Sequence, residues 1–143
     1  MSTEGSPAVV PARGHGQRIL YLDDEEPLVF LVTRMLRQLG YKPSGFTNAA
    51  DALAAFRNNP KQFALVLTDL TMPGTSGMDF ARQVLSVSAD APIVVVSGCL
   101  SPEDVVRANS LGVRALIQKP STVEELGESI QRLLSAVAAG ART

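Results

Sequence analysis

The chain has one cysteine, one histidine and no tryptophan among its 143 residues. A lone cysteine, Cys99, excludes an internal disulfide, and without a second thiol or a histidine cluster it excludes a structural zinc site as well. The lone histidine, His15, has no neighbours in sequence that could position or desolvate it, so it is not a candidate ligand or base. Two tyrosines and no tryptophan leave little to sandwich a flavin ring. No apolar run approaches the roughly 20 residues of a membrane span, and the N-terminus shows no charged segment followed by an apolar one. Neither insertion nor export is expected, and a reducing cytoplasm suits the thiol content. An excess of positive charge is also missing: 13 Lys and Arg face 14 Asp and Glu. No global field would draw nucleic acid or an anionic membrane to this protein.

What is present is a core's worth of apolar residues, 45% of the chain against 19% charged, enough for one domain of ordinary size. Residues 1–17 are rich in Pro, Gly and small polar residues and show no period, so they are expected to form a linker or disordered tail. The domain is expected over residues 18–139, with 140–143 as a short tail. From Arg18 onward, strand-length apolar runs alternate five times with amphipathic segments. The runs are Ile19 to Leu22, Lys42 to Phe46, Phe63 to Leu67, Ile93 to Val96 and Ala115 to Ile117. Pro43 marks the second as an edge strand, because proline cannot donate to a ladder.

The intervening helices carry their own punctuation. Pro27 and Gly40 bracket the first, whose expected apolar face is Leu28, Val32, Met35 and Leu39. Asn48 caps the second, with Ala49, Leu53 and Phe56 inward, and Ser101 and Pro102 open the fourth. The third is expected to turn Phe80, Val84 and Val87 to the core, after a loop from Leu70 to Gly77, and the fifth Leu126, Ile130, Leu133 and Val137. Continuous apolar strands separated by helices indicate an α/β fold, an open doubly wound parallel sheet covered on both faces. In such sheets ligands bind beyond the carboxyl ends of the strands.

Chemistry-bearing residues collect at those ends. The first strand ends in Asp23 and Asp24, the third in Asp69, the fourth in Ser97 and Gly98, the fifth in Gln118 and Lys119. Three carboxylates on one rim repel one another unless a cation intervenes, and an all-oxygen set favours a hard divalent ion, which under cytoplasmic conditions means Mg²⁺. The loop Leu70-Thr71-Met72-Pro73-Gly74-Thr75-Ser76-Gly77, with Gly98, offers backbone N–H groups to an anion of phosphoryl size. An aspartate at the centre of that cradle can act as a nucleophile while the metal and Lys119 offset charge on the phosphoryl oxygens. Glu25 and Glu26 read as a solvated helix start, and Met72 and Met78 as loop and core packing.

The ordered set Asp23-Asp24, Asp69 followed by Leu-Thr-Met-Pro-Gly, Ser97-Gly98 and Lys119-Pro120 resembles the response-regulator receiver family over Arg18 to about Ala138. Each piece alone is common; in this order, each at its own strand end, the set is specific. The resemblance implies a flavodoxin-like five-stranded sheet of order 2-1-3-4-5. It also implies phosphoryl transfer from a phosphohistidine of a histidine kinase or histidine phosphotransfer protein onto Asp69. Asp24 and Asp69, the Thr71 carbonyl, and Asp23 through water would hold Mg²⁺. Lys119 would pair with Asp69 and then with the phosphoryl, Leu70, Thr71 and Gly98 would contact it, and Ser97 would move to meet it. The Lys119–Pro120 bond would be cis. The family's switch aromatic, three residues before the lysine, is Leu116 here, so the segment Cys99 to Gly112 is expected to transmit the change instead. Neither Thr71 nor Cys99 is an acid or amide that would hold an attacking water, which implies slow self-dephosphorylation.

The module would then catalyse only its own phosphorylation and dephosphorylation. Few residues follow the last helix, so no output domain is expected in this chain, which would act alone or as the terminal receiver of a hybrid histidine kinase. Three other readings compete. A haloacid-dehalogenase-like phosphatase would need an acid two residues after Asp69, where Thr71 stands. A flavodoxin-like flavin protein would carry its phosphate loop after the first strand, where this chain has acids. A phosphorylation-independent docking module would have no use for the acids, hydroxyl and lysine together.

Overall fold

The computed structural model describes residues 14–138. Five parallel strands form one sheet: β1 (Arg18–Leu22), β2 (Lys42–Phe46), β3 (Phe63–Asp69), β4 (Ile93–Ser97) and β5 (Ala115–Gln118). Their spatial order is β2-β1-β3-β4-β5, so Pro43 does lie on an edge strand. The connecting helices are α1 (Glu26–Gln38), α2 (Ala49–Asn58), α3 (Gly77–Val87), α4 (Pro102–Leu111) and α5 (Val123–Ala138).

Side chains alternate across the sheet and sort into two cores, as the period of two requires. Leu20 and Leu22 of β1, Val66 of β3 and Ile93 and Val95 of β4 pack with Phe56, Phe80, Val84 and Ala108 of α2, α3 and α4. Ile19 and Tyr21, Leu65 and Leu67, and Val94 and Val96 face the other way, onto Val32 and Leu36 of α1 and Leu126 and Ile130 of α5. Each fully buried Leu, Ile or Phe among them contributes about 1.5–3 kcal/mol relative to exposure. Burial on both faces explains why the strands read as continuous apolar runs.

Helix ends follow their side chains. Asn48, Ser76 and Ser101 accept from the backbone N–H of Asp51, Asp79 and Asp104, capping α2, α3 and α4. Gly112 closes α4 at φ +87°, in the left-handed region that favours glycine.

Three expectations need correction. The buried face of α1 is Val29, Val32, Thr33 and Leu36, with Leu28, Met35 and Leu39 only partly buried. Counting apolar residues missed Thr33, whose hydroxyl donates to the Val29 carbonyl at 2.8 Å and so enters the core satisfied. Val87, at the end of α3, is exposed rather than inward, and Met78 and Ala81 are buried in that helix instead. Gly14 to Gln17 are not a free linker: the Gly16 N–H donates to the Gly40 carbonyl at 2.8 Å, and the Gln17 carbonyl accepts from the Lys42 N–H at 2.9 Å. The remaining tail positions, 1–13 and 140–143, lie outside the described residues, as does residue 139.

Candidate functional site

The carboxyl ends of β1, β3 and β5 bring Asp23, Asp24, Asp69 and Lys119 to one rim, because those three ends lie on the same edge of a parallel sheet. One carboxylate oxygen from each of the three aspartates lies within 4.8 Å of the others. Asp24 is exposed, Asp69 is partly buried and Asp23 is 1% exposed.

Burial explains how Asp23 is held. Its Oδ1 accepts from the Glu25 backbone N–H at 3.0 Å, an arrangement that also sets up the start of α1. Its Oδ2 accepts from the Tyr21 hydroxyl at 3.1 Å and from Lys119 Nζ at 3.2 Å. A carboxylate offers about four lone-pair sites, so three protein donors leave roughly one direction open. The Lys119 ammonium also reaches Asp69 Oδ1 at 3.9 Å.

These contacts set the charges. The Asp69 carboxyl is pushed up to about 6, the net of burial, which raises it most, the Lys119 charge, which lowers it, and the Asp23 and Asp24 charges, which raise it. Burial pulls the Lys119 ammonium down, but the Asp23 and Asp69 charges outweigh it and leave the group above its ordinary value. Burial, then the Asp23 charge, drives the Tyr21 hydroxyl far up, so it remains a donor at any working pH. One ammonium against three carboxylates leaves uncompensated negative charge among oxygen donors, which fits a hard divalent cation.

The loop expected to cradle a phosphoryl group is tightly folded. The segment from Leu70 to Gly77 is a small hairpin, in which Thr71–Met72 pairs antiparallel with Thr75–Ser76 and Gly74 turns at φ +78°. An added Cβ at Gly77 would overlap the Asp69 carbonyl oxygen, so the start of α3 sits directly against the strand end. The Leu70 N–H is not free for an anion: it donates to the Val96 carbonyl at 2.8 Å, within the sheet edge. Thr71 and Gly98 are exposed, and the space around Gly98 is open.

Ser97 makes no described hydrogen bond to the acids. It is buried, its Oγ donates to the Cys99 carbonyl at 2.7 Å and accepts from the Cys99 N–H at 3.1 Å. The hydroxyl is thus folded onto its own loop. No described peptide bond is cis, which corrects the expectation for Lys119–Pro120; the trans form is the one an X–Pro amide favours intrinsically, by about 0.5–1 kcal/mol.

Sequence reasoning missed Tyr21, taking it for strand core. The available signal was its spacing: residues i and i+2 of a strand share a face, which places Tyr21 beside Asp23. Tyr21, Leu28, Val32 and Leu126 also line a cavity of about 90 Å³ that reaches Asp69 and Lys119.

Comparison with known proteins shows the family to which this chain is similar. The response regulator receiver domain profile matches residues 19–131. The chain is 29% identical over 126 residues to the sensory/regulatory protein RpfC of Xanthomonas campestris pv. campestris, covering 85% of this chain and 17% of that protein. It is 32% identical over 111 residues to a two-component response regulator of Arabidopsis thaliana, covering 78% of this chain and 29% of that one. It therefore spans less than a third of these two curated relatives. A CheY-like receiver domain protein from Methanospirillum hungatei superposes with a TM-score of 0.78 at 26% identity, covering 87% of this chain and 98% of the other. TrrA of Thermotoga maritima, solved with Mg²⁺ and beryllofluoride, superposes with a TM-score of 0.70 at 26% identity, covering 82% and 98%. With the profile matched across most of its length, the chain belongs to the response regulator receiver domain family.

Proposed function

We propose that Asp69 is the phosphoacceptor of this receiver domain, taking a phosphoryl group from the phosphohistidine of a histidine kinase or histidine phosphotransfer protein. The observation that carries this reading is the convergence of three carboxylates within 4.8 Å with an ammonium at 3.2 Å from one and 3.9 Å from another. A structural ion pair needs one acid; three acids around one base suit a site that receives further positive charge and then an anion. Asp24 and Asp69, with the Thr71 carbonyl and with Asp23 through its open lone-pair direction, would hold Mg²⁺. Bound there, the ion would neutralise charge on the transferring phosphoryl oxygens.

The chain's own groups do the rest. An Asp69 carboxylate oxygen bonds to phosphorus as the P–N bond of the donor breaks, and the donor imidazole keeps the electron pair. Lys119 loses its hold on Asp69, whose carboxylate becomes an acyl phosphate (a mixed anhydride), and turns to the phosphoryl. The exposed Thr71 and Gly98 leave the approach open, and Ser97 supplies a hydroxyl once it releases Cys99. Neither Thr71 nor Cys99 offers an acid or amide to position water, so the phosphoryl persists for minutes or longer. A phosphatase acting on external phosphomonoesters would need a general acid at Thr71, which the hydroxyl cannot supply.

The same reading makes the module a catalyst only of its own phosphorylation. Among the described residues no helix is long and apolar enough to cross a membrane, which suits a cytoplasmic location.

Incubation with acetyl phosphate and Mg²⁺, followed by intact mass measurement, tests the proposal. The wild type should gain one phosphoryl group and Asp69→Asn none. Equal labelling of the two would end the reading.

A further inference from the structure

Asp23 is the most deeply buried charge at the rim, and its Oδ2 has two donors of different kinds. Lys119 Nζ at 3.2 Å ends a flexible side chain that is one-third exposed and lies nearer to Asp23 than to Asp69. The Tyr21 hydroxyl at 3.1 Å belongs to a ring fixed in the core, 3% exposed and carried by β1. The proposed function requires the ammonium to turn from the carboxylates to an arriving phosphoryl. Without Tyr21, that movement would leave a buried carboxylate oxygen with no protein donor, and uncovering a buried charged group is costly. Lys119 would then be held back on Asp23.

We propose that Tyr21 is a positioning residue that releases Lys119: its hydroxyl stays on Asp23 Oδ2 when the ammonium leaves, so the lysine can follow the phosphoryl. This rests on the phosphoacceptor reading of Asp69. It assigns Tyr21 a role in the loaded state rather than in metal capture. The Glu25 N–H on Oδ1 cannot substitute, because it serves the other oxygen and is fixed by the start of α1.

Tyr21→Phe removes one oxygen and keeps the ring, so the two cores should stay packed. Calorimetric titration should show Mg²⁺ affinity unchanged within about twofold, because Asp24 and Asp69 are untouched and Asp23 keeps the Glu25 and Lys119 donors while no phosphoryl draws the lysine away. Beryllofluoride affinity at saturating Mg²⁺ should fall by about ten-fold or more, the loss of one hydrogen bond to a charged group. A merely structural tyrosine would weaken both ligands together or neither, and either result overturns the inference. A second measurement needs no variant. In the wild type the Tyr21 hydroxyl proton should remain slow to exchange after beryllofluoride is added, and its loss to rapid exchange also overturns the inference. Failure of the wild type to bind beryllofluoride at all would overturn the phosphoacceptor reading and this inference with it. Equal beryllofluoride affinity in wild type and Tyr21→Phe overturns this inference alone.

Discussion

Two regions of the rim were expected to act together, and they are built differently. At the ends of β1 and β3, one carboxylate oxygen each from Asp23, Asp24 and Asp69 lies within 4.8 Å of the others, with Lys119 beside Asp23 and Asp69. At the end of β4, Ser97 is turned onto Cys99, both roles of its hydroxyl occupied. In the first region the neighbouring ends of β1 and β3 bring the acids side by side. In the second, Ser97 is the last residue of β4 and its hydroxyl is bonded to the loop that follows, so it must exchange two local bonds, each worth about 1 kcal/mol net, for a new partner. Under the proposed function, the half that would capture metal and phosphoryl is pre-assembled and the half that would switch is latched.

If the acids are pre-assembled around Lys119, removing that cation should have the largest effect. Lys119→Met leaves Asp23, 1% exposed, with the Tyr21 hydroxyl and the Glu25 N–H as its only described donors. Breaking a buried pair costs about 3–5 kcal/mol, and partial exposure of the lysine reduces that to about 2–3 kcal/mol. Urea unfolding in EDTA measures it. Stability unchanged from wild type would mean that the cluster does not depend on its cation.

The second effect has the opposite sign. Folding raises the Asp69 carboxyl from 3.8 to about 6, so between those values the folded state binds more protons than the unfolded one. Ionised Asp69 therefore destabilises the metal-free protein above about pH 6, and the penalty fades as pH falls through 6 towards 4. Two pKa units correspond to about 3 kcal/mol, and solvent at the rim cuts this to about 1–2 kcal/mol. Asp69→Asn should accordingly raise stability by that amount at pH 7.5 in EDTA and by nothing near pH 4. Mg²⁺ should narrow the gap by stabilising the wild type more. A variant less stable than wild type at pH 7.5 would show that Asp69 is not held under strain.

The contrast between regions also describes what the sequence made legible. The strand order came with the family resemblance, whereas the edge position of Pro43 and the caps Asn48 and Ser101 could be read, because each rests on a local rule that the fold obeys. The acids and the lysine could be placed at strand ends for the same reason. What escaped depends on partners distant in sequence or on groups of dual character. Tyr21 reads as apolar until Asp23 and Lys119 surround its hydroxyl, and Thr33 reads as polar until its hydroxyl closes on the Val29 carbonyl. The engaged Leu70 N–H depends on where β4 ends relative to β3, a register no single run reveals.

The latched half should yield the smallest change in stability and the clearest separation of the two regions. Ser97→Ala deletes the bonds to the Cys99 carbonyl and N–H, leaving both groups within reach of water in an exposed loop, at a cost of about 1 kcal/mol. Mg²⁺ affinity should be unchanged, since Ser97 makes no described bond to the acids. On adding Mg²⁺ and beryllofluoride, backbone amide shifts over Cys99 to Gly112 should be large in the wild type. There the released loop leads into α4, which buries only Ala108 and exposes Val105 and Val106. In Ser97→Ala those shifts should shrink while the shifts around Asp24 and Asp69 persist. Leu116, in place of the family's aromatic, offers no ring to carry the change through β5, so α4 and its leading loop are the route with the least packing to oppose movement. Shifts that vanished together at both ends of the rim would mean that the latch and the acid cluster are one unit.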